Sequence, residues 1–265
     1  MNSDVSTGAC VVEDAELHVR QQGDGAPLLL VPGGLGAADS YRALAKRLSA
    51  DHTVLTYDRR GHFRSTDDST GPIPVARHAA DARAVIDYFG FGEVTVFGSS
   101  AGAVIALDLA ARYPETVSAL IAHEPPVVGL LPDAEDWFAD AEAQVKLARS
   151  GDVLGAFTRF VSTIAGAALP DLRAVRLPNE AEWALLFDRE LLEFYHYLPD
   201  LPALRKSWVD VTLAAGEGSR GHFHYSPARV LALELGLPFA ELPGAHLAPQ
   251  RNPAQFADAL RRLLP

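Results

Sequence analysis

Short apolar runs alternate with segments whose apolar residues recur at helical spacing, and this alternation admits few folds. Pro27–Val31, Thr53–Tyr57, Val94–Phe97, Thr116–Ala122, Val209–Ala215 and Pro238–Leu242 read as strands. Strands buried on both faces appear as continuous apolar runs, the habit of a parallel sheet. Between them Ser40–Leu48, Pro74–Phe89, Ala101–Tyr113, Ser226–Leu235 and Pro253–Leu264 read as helices, with Ser40 placed to cap the first. Ala101–Tyr113 is apolar almost throughout, which predicts a buried helix. Cys10–Val12 and Glu16–Gln22, of mixed polarity, predict an opening hairpin. The expectation is an α/β protein with a mostly parallel central sheet and helices on both faces.

The rhythm breaks once. From Pro125 to about Pro202 no strand pattern occurs. Helical blocks near Pro132–Arg149, Asp152–Ala167 and Asn179–Tyr197 are punctuated by Gly151, Pro170, Pro178, Pro199 and Pro202. Trp137, Phe157, Phe160, Trp183, Phe187, Phe194, Tyr195 and Tyr197 gather there. The division expected is a core of residues 1–124 and 203–265 with a helical insertion over 125–202. No internal repeat or low-complexity segment is evident.

Composition narrows the partners. A net charge of −11 argues against nucleic acid or an anionic membrane, because phosphate needs a cationic face. It also argues against a strongly anionic substrate. One cysteine, Cys10, leaves no internal disulfide and no cysteine metal cluster. No apolar run approaches the roughly 20 residues of a spanning helix, and the short polar opening Met1–Gly8 does not read as a secretory signal. The expectation is a soluble cytoplasmic protein without cofactor, whose partner is a small molecule and whose oligomeric state is open.

Ser100 centres Gly98-Ser99-Ser100-Ala101-Gly102, between the strand run Val94–Phe97 and the helix-like stretch from Ala101. A serine at a tight strand-to-helix turn is forced into a strained conformation with its hydroxyl above the sheet. The residues two positions to either side come too close for bulky side chains, and both are glycine. The helix N-terminus behind the turn favours developing negative charge. A serine hydroxyl is a poor nucleophile alone and needs an oriented base. Of nine histidines, His246 is best placed: it follows the strand Pro238–Leu242 and the turn Pro243-Gly244-Ala245. Strand ends on the carboxyl edge of a parallel sheet converge, so His246 can reach Ser100. His62, His222 and His224 lie in loops and read as solvated surface residues. His222-x-His224 lacks a third ligand at sensible spacing, so no metal is expected.

An oxyanion would need two backbone N–H groups. Ala101 supplies one candidate. The loop Pro32-Gly33-Gly34-Leu35-Gly36 supplies the other, with Gly34 preferred and Gly33 as alternative. Leu35, in the same loop, is a candidate to line the substrate pocket.

Val31-Pro32-Gly33-Gly34, Asp58-Arg59-Arg60-Gly61, Gly98-x-Ser100-x-Gly102 and the late His246 occur in an order that resembles the α/β-hydrolase superfamily over essentially the whole chain. The insertion sits where that superfamily places its lid, and Asp58-Arg59 corresponds to a mostly structural turn. The resemblance implies an α/β-hydrolase fold and a catalytic triad. It also exposes a departure. The superfamily usually places its acid shortly after the penultimate strand, about three residues beyond a glycine. Here Gly216-Glu217-Gly218-Ser219 offers only Glu217, out of register. A second arrangement puts the acid after the strand that follows the nucleophile helix. Ala122-His123-Glu124-Pro125 has Glu124 there, so the resemblance favours Glu124 over Glu217. Ser99-Ser100, His123-Glu124-x-Pro126 and Gly244-x-His246 with Asn252-Pro253 beyond are similar to the lactonases that open zearalenone. Those enzymes set a lid tryptophan against an aromatic substrate, which makes Trp183 a pocket candidate.

The resemblance thus implies a cofactor-independent serine hydrolase of an apolar, aromatic or macrocyclic ester or lactone, acting through an acyl-enzyme. Serine at position 100 disfavours dehalogenation and epoxide hydrolysis, which need a carboxylate nucleophile. A ligand-binding protein on a hydrolase scaffold, or a lyase reusing the triad, would keep the same motifs.

Overall fold

The computed structural model describes residues 5–165, 177 and 179–265. The strands are β1 (Ser6–Val12), β2 (Ala15–Gln22), β3 (Ala26–Val31), β4 (His52–Tyr57), β5 (Val94–Ser99), β6 (Val117–His123), β7 (Asp210–Gly216) and β8 (Phe239–Leu242). They form one sheet in the order β1-β2-β4-β3-β5-β6-β7-β8. β1 and β2 join antiparallel; β4 through β8 run parallel. Every parallel strand therefore ends on the same edge, where loops from different parts of the chain meet.

The helices of the first half are α1 (Arg42–Leu48), α2 (Val75–Tyr88) and α3 (Ala101–Arg112). Between β6 and β7 come α4 (Ala134–Arg149), α5 (Val153–Ala165), α6 (Glu180–Leu185), α7 (Leu191–Tyr195) and α8 (Leu201–Lys206). α9 (Tyr225–Leu235), α10 (Ala248–Arg251) and α11 (Pro253–Leu260) complete the chain. Strand side chains alternate between two cores. Leu28, Leu30, Phe97, Ile121 and Ala214 pack with Leu44 and Leu48 of α1 and Phe256 and Leu260 of α11. Leu29, Val31, Val96, Leu120 and Leu213 pack with α2, α3 and α9 on the other face. Leu109 and its neighbours in α3 are buried nearly all round, as the apolar run predicts. Ala141, Ala156, Phe160, Phe187 and Phe194 of the inserted segment join that second core.

Four local expectations need correction. Ser40 does not cap a helix: it lies in a 3₁₀ turn, Ala38–Tyr41, and its hydroxyl donates to the Ala37 carbonyl at 2.6 Å. The block expected over Asn179–Tyr197 is broken by a π turn at Leu186–Glu190, which periodicity alone does not register. α8 lies in the stretch read as a boundary, where the Asp200 carboxylate caps it by accepting from the Ala203 N–H at 2.9 Å. α10 fills the loop after His246 and was too short to show a period. Pro170, Pro178 and the expected helix end at Ala167 lie outside the described residues. Among the described residues, no helix is long and apolar enough to cross a membrane.

Candidate active site

Ser100 follows β5 directly and adopts φ 58° and ψ −128°, the strained geometry expected of a serine at a strand-to-helix turn. The two glycines around it are required by contact. A Cβ on Gly98 would lie 2.3 Å from the Gly102 carbonyl oxygen, and one on Gly102 would lie 2.2 Å from that of Val31. Neither neighbour is a movable side chain. Gly98→Ala is therefore expected to destabilise the fold by roughly 1–3 kcal/mol or more through overpacking. A thermal or urea melt checks this, and an unchanged midpoint would contradict the close approach.

Glu124 ends β6 as Ser100 ends β5. The two strand ends stay in ladder: the Ser100 N–H donates to the His123 carbonyl and the Glu124 N–H to the Ala214 carbonyl, each at 2.9 Å. Glu124 also has positive φ, 50°, which turns its side chain back over the sheet edge. One carboxylate oxygen, Oε1, accepts from the Gly216 N–H at the end of β7, at 2.8 Å. The other, Oε2, lies 2.6 Å from His246 Nδ1. Glu124 is fully buried. Burial alone would raise its pKa, but the His246 hydrogen bond and the adjacent His123 and His224 outweigh it and hold the carboxyl well below the usual range. An ionised Glu124 can only accept, so His246 Nδ1 donates to it and Nε2 is the ring nitrogen turned away from the carboxylate.

Ser100 and His246 line one cavity of about 400 Å³, a volume suited to a small-molecule ligand. No hydrogen bond joins the Ser100 hydroxyl to His246 in this structure, and such contacts commonly tighten only when substrate arrives. Gly33, Gly34 and Leu35 form another wall. Among the described residues, the N–H groups of Gly33, Gly34, Leu35 and Ala101 donate to no protein acceptor, so the candidate donors are unspent. Phe157, Phe160, Val161, Ile164 and Trp183, from the inserted helices, close the side facing them. A wider depression of about 790 Å³, lined by Arg220, Arg229 and Glu241 among others, contains none of these residues.

The structure brings Ser100, His246, Gly34, Leu35 and Trp183 to one cavity, with Glu124 behind His246. It does not bring Glu217 there: that residue is exposed in a turn after β7. Two loop histidines expected at the surface are buried. His62 is fully enclosed, and His224 is 2% exposed with its ring 3.7 Å from that of His246, stacked at 26°. Burial, helped by His246, keeps His224 neutral by pushing its pKa well below the ordinary value. His224 thus fixes the plane of His246 without adding charge. His123 is also buried; its Nδ1 lies 2.9 Å from Ser99 Oγ, and burial pushes its pKa down to about 4. Only its place beside Glu124 could have flagged it. Phe157 and Phe160 line the cavity and also pack on Trp183, with ring centroids at 4.8 and 5.8 Å. Glu124, His224 and His246 offer ligand atoms within 4.8 Å of one another. The near-parallel rings of the two histidines do not suit an ion that must lie in both ring planes.

The fold is that of a known class: the family profile of the alpha/beta hydrolase fold matches residues 26–194. The chain belongs to the α/β-hydrolase superfamily and is a hydrolase of that fold. It is 32% identical to the uncharacterized hydrolase YraK of Bacillus subtilis (strain 168), over 98% of this chain and 96% of that protein. It is 27% identical to the zearalenone hydrolase of Bionectria ochroleuca, over 91% of this chain and 90% of the relative. Among solved structures it resembles the enol-lactonase of Burkholderia xenovorans LB400, with TM-score 0.68 at 17% identity, covering 96% of this chain and 98% of that one.

Proposed function

We infer that the protein is a serine hydrolase that opens an ester or lactone of an apolar small molecule through an acyl-enzyme. The observation that carries this is the single cavity shared by Ser100 and His246, with Glu124 2.6 Å behind the imidazole. Ser100 attacks the carbonyl, and its proton passes to His246 Nε2. Glu124 holds the Nδ1 proton and stabilises the imidazolium. The N–H groups of Ala101 and Gly34 receive the oxyanion. The imidazolium then protonates the leaving alkoxide. Water, deprotonated by His246, releases the acid and restores Ser100. Residues 125–202 act as a lid over a core of residues 1–124 and 203–265. Turnover of a p-nitrophenyl ester together with fluorophosphonate labelling tests the reading. Tight ligand binding with neither would favour a receptor or carrier on this scaffold.

The apolar lid face supports a bulky, aromatic or macrocyclic acyl or alcohol group, as does the name of the zearalenone hydrolase relative. Trp183→Ala is expected to raise KM for bulky aromatic esters by about 10- to 100-fold, the worth of one large buried side chain. KM for an acetate is expected to stay within about threefold of wild type, since a small acyl group buries little of that surface. Equal losses on both would assign Trp183 to packing among Phe157, Phe160 and Phe187.

A further inference from the structure

We propose that Glu190, on the inserted segment, is a positioning residue that holds the oxyanion-binding loop in register through Arg59. The inference rests on the serine-hydrolase reading above. Arg59 is fully buried behind the loop. Its guanidinium donates to three consecutive carbonyls, those of Pro32 at 3.2 Å, Gly33, and Gly34 at 3.0 Å. In a trans peptide the C=O and the following N–H point in opposite directions across one rigid plane. Turning these three carbonyls towards Arg59 therefore turns the N–H groups of Gly33, Gly34 and Leu35 away from it. These three residues line the cavity beside Ser100, and their N–H groups are the unspent donors described above. A planar fork with several donors can grip successive carbonyls in this way, where an ammonium could not.

The fork is itself held by one carboxylate. Arg59 Nη2 donates to Glu190 Oε2 at 2.7 Å, with both side chains fully buried. His62 Nε2 donates to the same oxygen at 2.9 Å, and His78 Nε2 lies 3.1 Å from Oε1. Gly36, which closes the loop, packs so closely that a Cβ there would lie 2.8 Å from the His62 ring. Glu190 reaches this position because it closes the π turn, whose extra residue rotates the helix relative to α6. The neighbouring Arg189 pins the same turn to the core, donating to the Gly71 carbonyl at 2.5 Å and to Asp67 at 2.8 Å. Trp183, in the cavity wall, lies on the same helical run. The segment that shapes the pocket thus also carries the anchor of the oxyanion loop.

The test compares full-length wild type, Glu190→Gln and the double variant Arg59→Met/Glu190→Met. Breaking a buried pair by removing one charge destabilises strongly, whereas replacing both partners by apolar residues is often tolerated, so the double variant guards against simple unfolding. The readouts are thermal midpoint, kcat and KM on p-nitrophenyl butyrate, and Kd for phenylboronic acid, whose tetrahedral adduct mimics the oxyanion. For each variant that melts cooperatively, kcat and boronate affinity are expected to fall together by about 10²-fold, the scale of one lost oxyanion donor. KM is expected to stay within about threefold, because ground-state contacts are untouched. A folded variant with wild-type kcat and boronate affinity overturns the proposal and leaves the serine-hydrolase reading intact. Wild type that neither turns over ester nor binds boronate removes that reading, and the proposal with it.

Discussion

Replacing Ser100 with alanine is expected to abolish fluorophosphonate labelling and to lower kcat by roughly 10⁴-fold or more while the protein stays folded. The reasons are separable. The Ser100 hydroxyl sits on the strained turn at the N-terminus of α3 and shares the cavity with His246. Alanine keeps the Cβ, so it neither adds a clash nor relieves one at φ 58°. Among the described residues the hydroxyl has no protein hydrogen-bond partner, so its loss leaves no buried group unsatisfied. Mass mapping of the label decides the matter. Label persisting on the variant, or found on Ser99, whose oxygen lies 2.9 Å from His123, would show that Ser100 is not the nucleophile.

Glu124→Gln is expected to cost about 10³–10⁴-fold in kcat, the scale seen when an orienting carboxylate is removed from a triad. Glu217→Gln is expected to cost less than about tenfold, because an exposed turn carboxylate cannot orient a buried imidazole. The amide can still accept from the Gly216 N–H through its oxygen, so the loop after β7 keeps its anchor. It then presents an NH₂ to His246 Nδ1, which favours the tautomer with the proton on Nε2 and removes the base. The reverse order of damage would make Glu217 the acid. The same variant carries a pH signature. The Glu124 pKa is depressed in the folded protein, so its ionised form contributes stability that is present above the ordinary carboxylate pKa of about 4.3 and lost as pH falls towards the folded value. The stability gap between wild type and Glu124→Gln is therefore expected to shrink as pH drops below about 4. A gap that widened in acid would contradict an ionised, hydrogen-bonded Glu124.

The sheet, the strand-to-helix turn at Ser100, the placing of His246 beyond β8 and the helical blocks that follow β6 were legible in the sequence. Each of these rests on local signals: apolar runs, glycines at close approaches, and the switch from strand to helix periodicity. The family resemblance, rather than a local pattern, pointed to Glu124 in preference to Glu217, and the structure sets Glu124 against His246 and leaves Glu217 exposed. Other features were decided only by the tertiary structure. His62 and His224 read as surface residues because loop histidines carry no pattern of their own, yet packing encloses both. Phe157 and Phe160 lie on a helix whose apolar face could serve a lid core or a cavity, and only the fold shows it serving both. Glu190 and Arg59 are 131 residues apart, and a single π turn sets which side chain points inward. Local sequence encodes direction along one element. Which buried charge meets which backbone carbonyl depends on how separate elements pack, and that is a property of the folded chain alone.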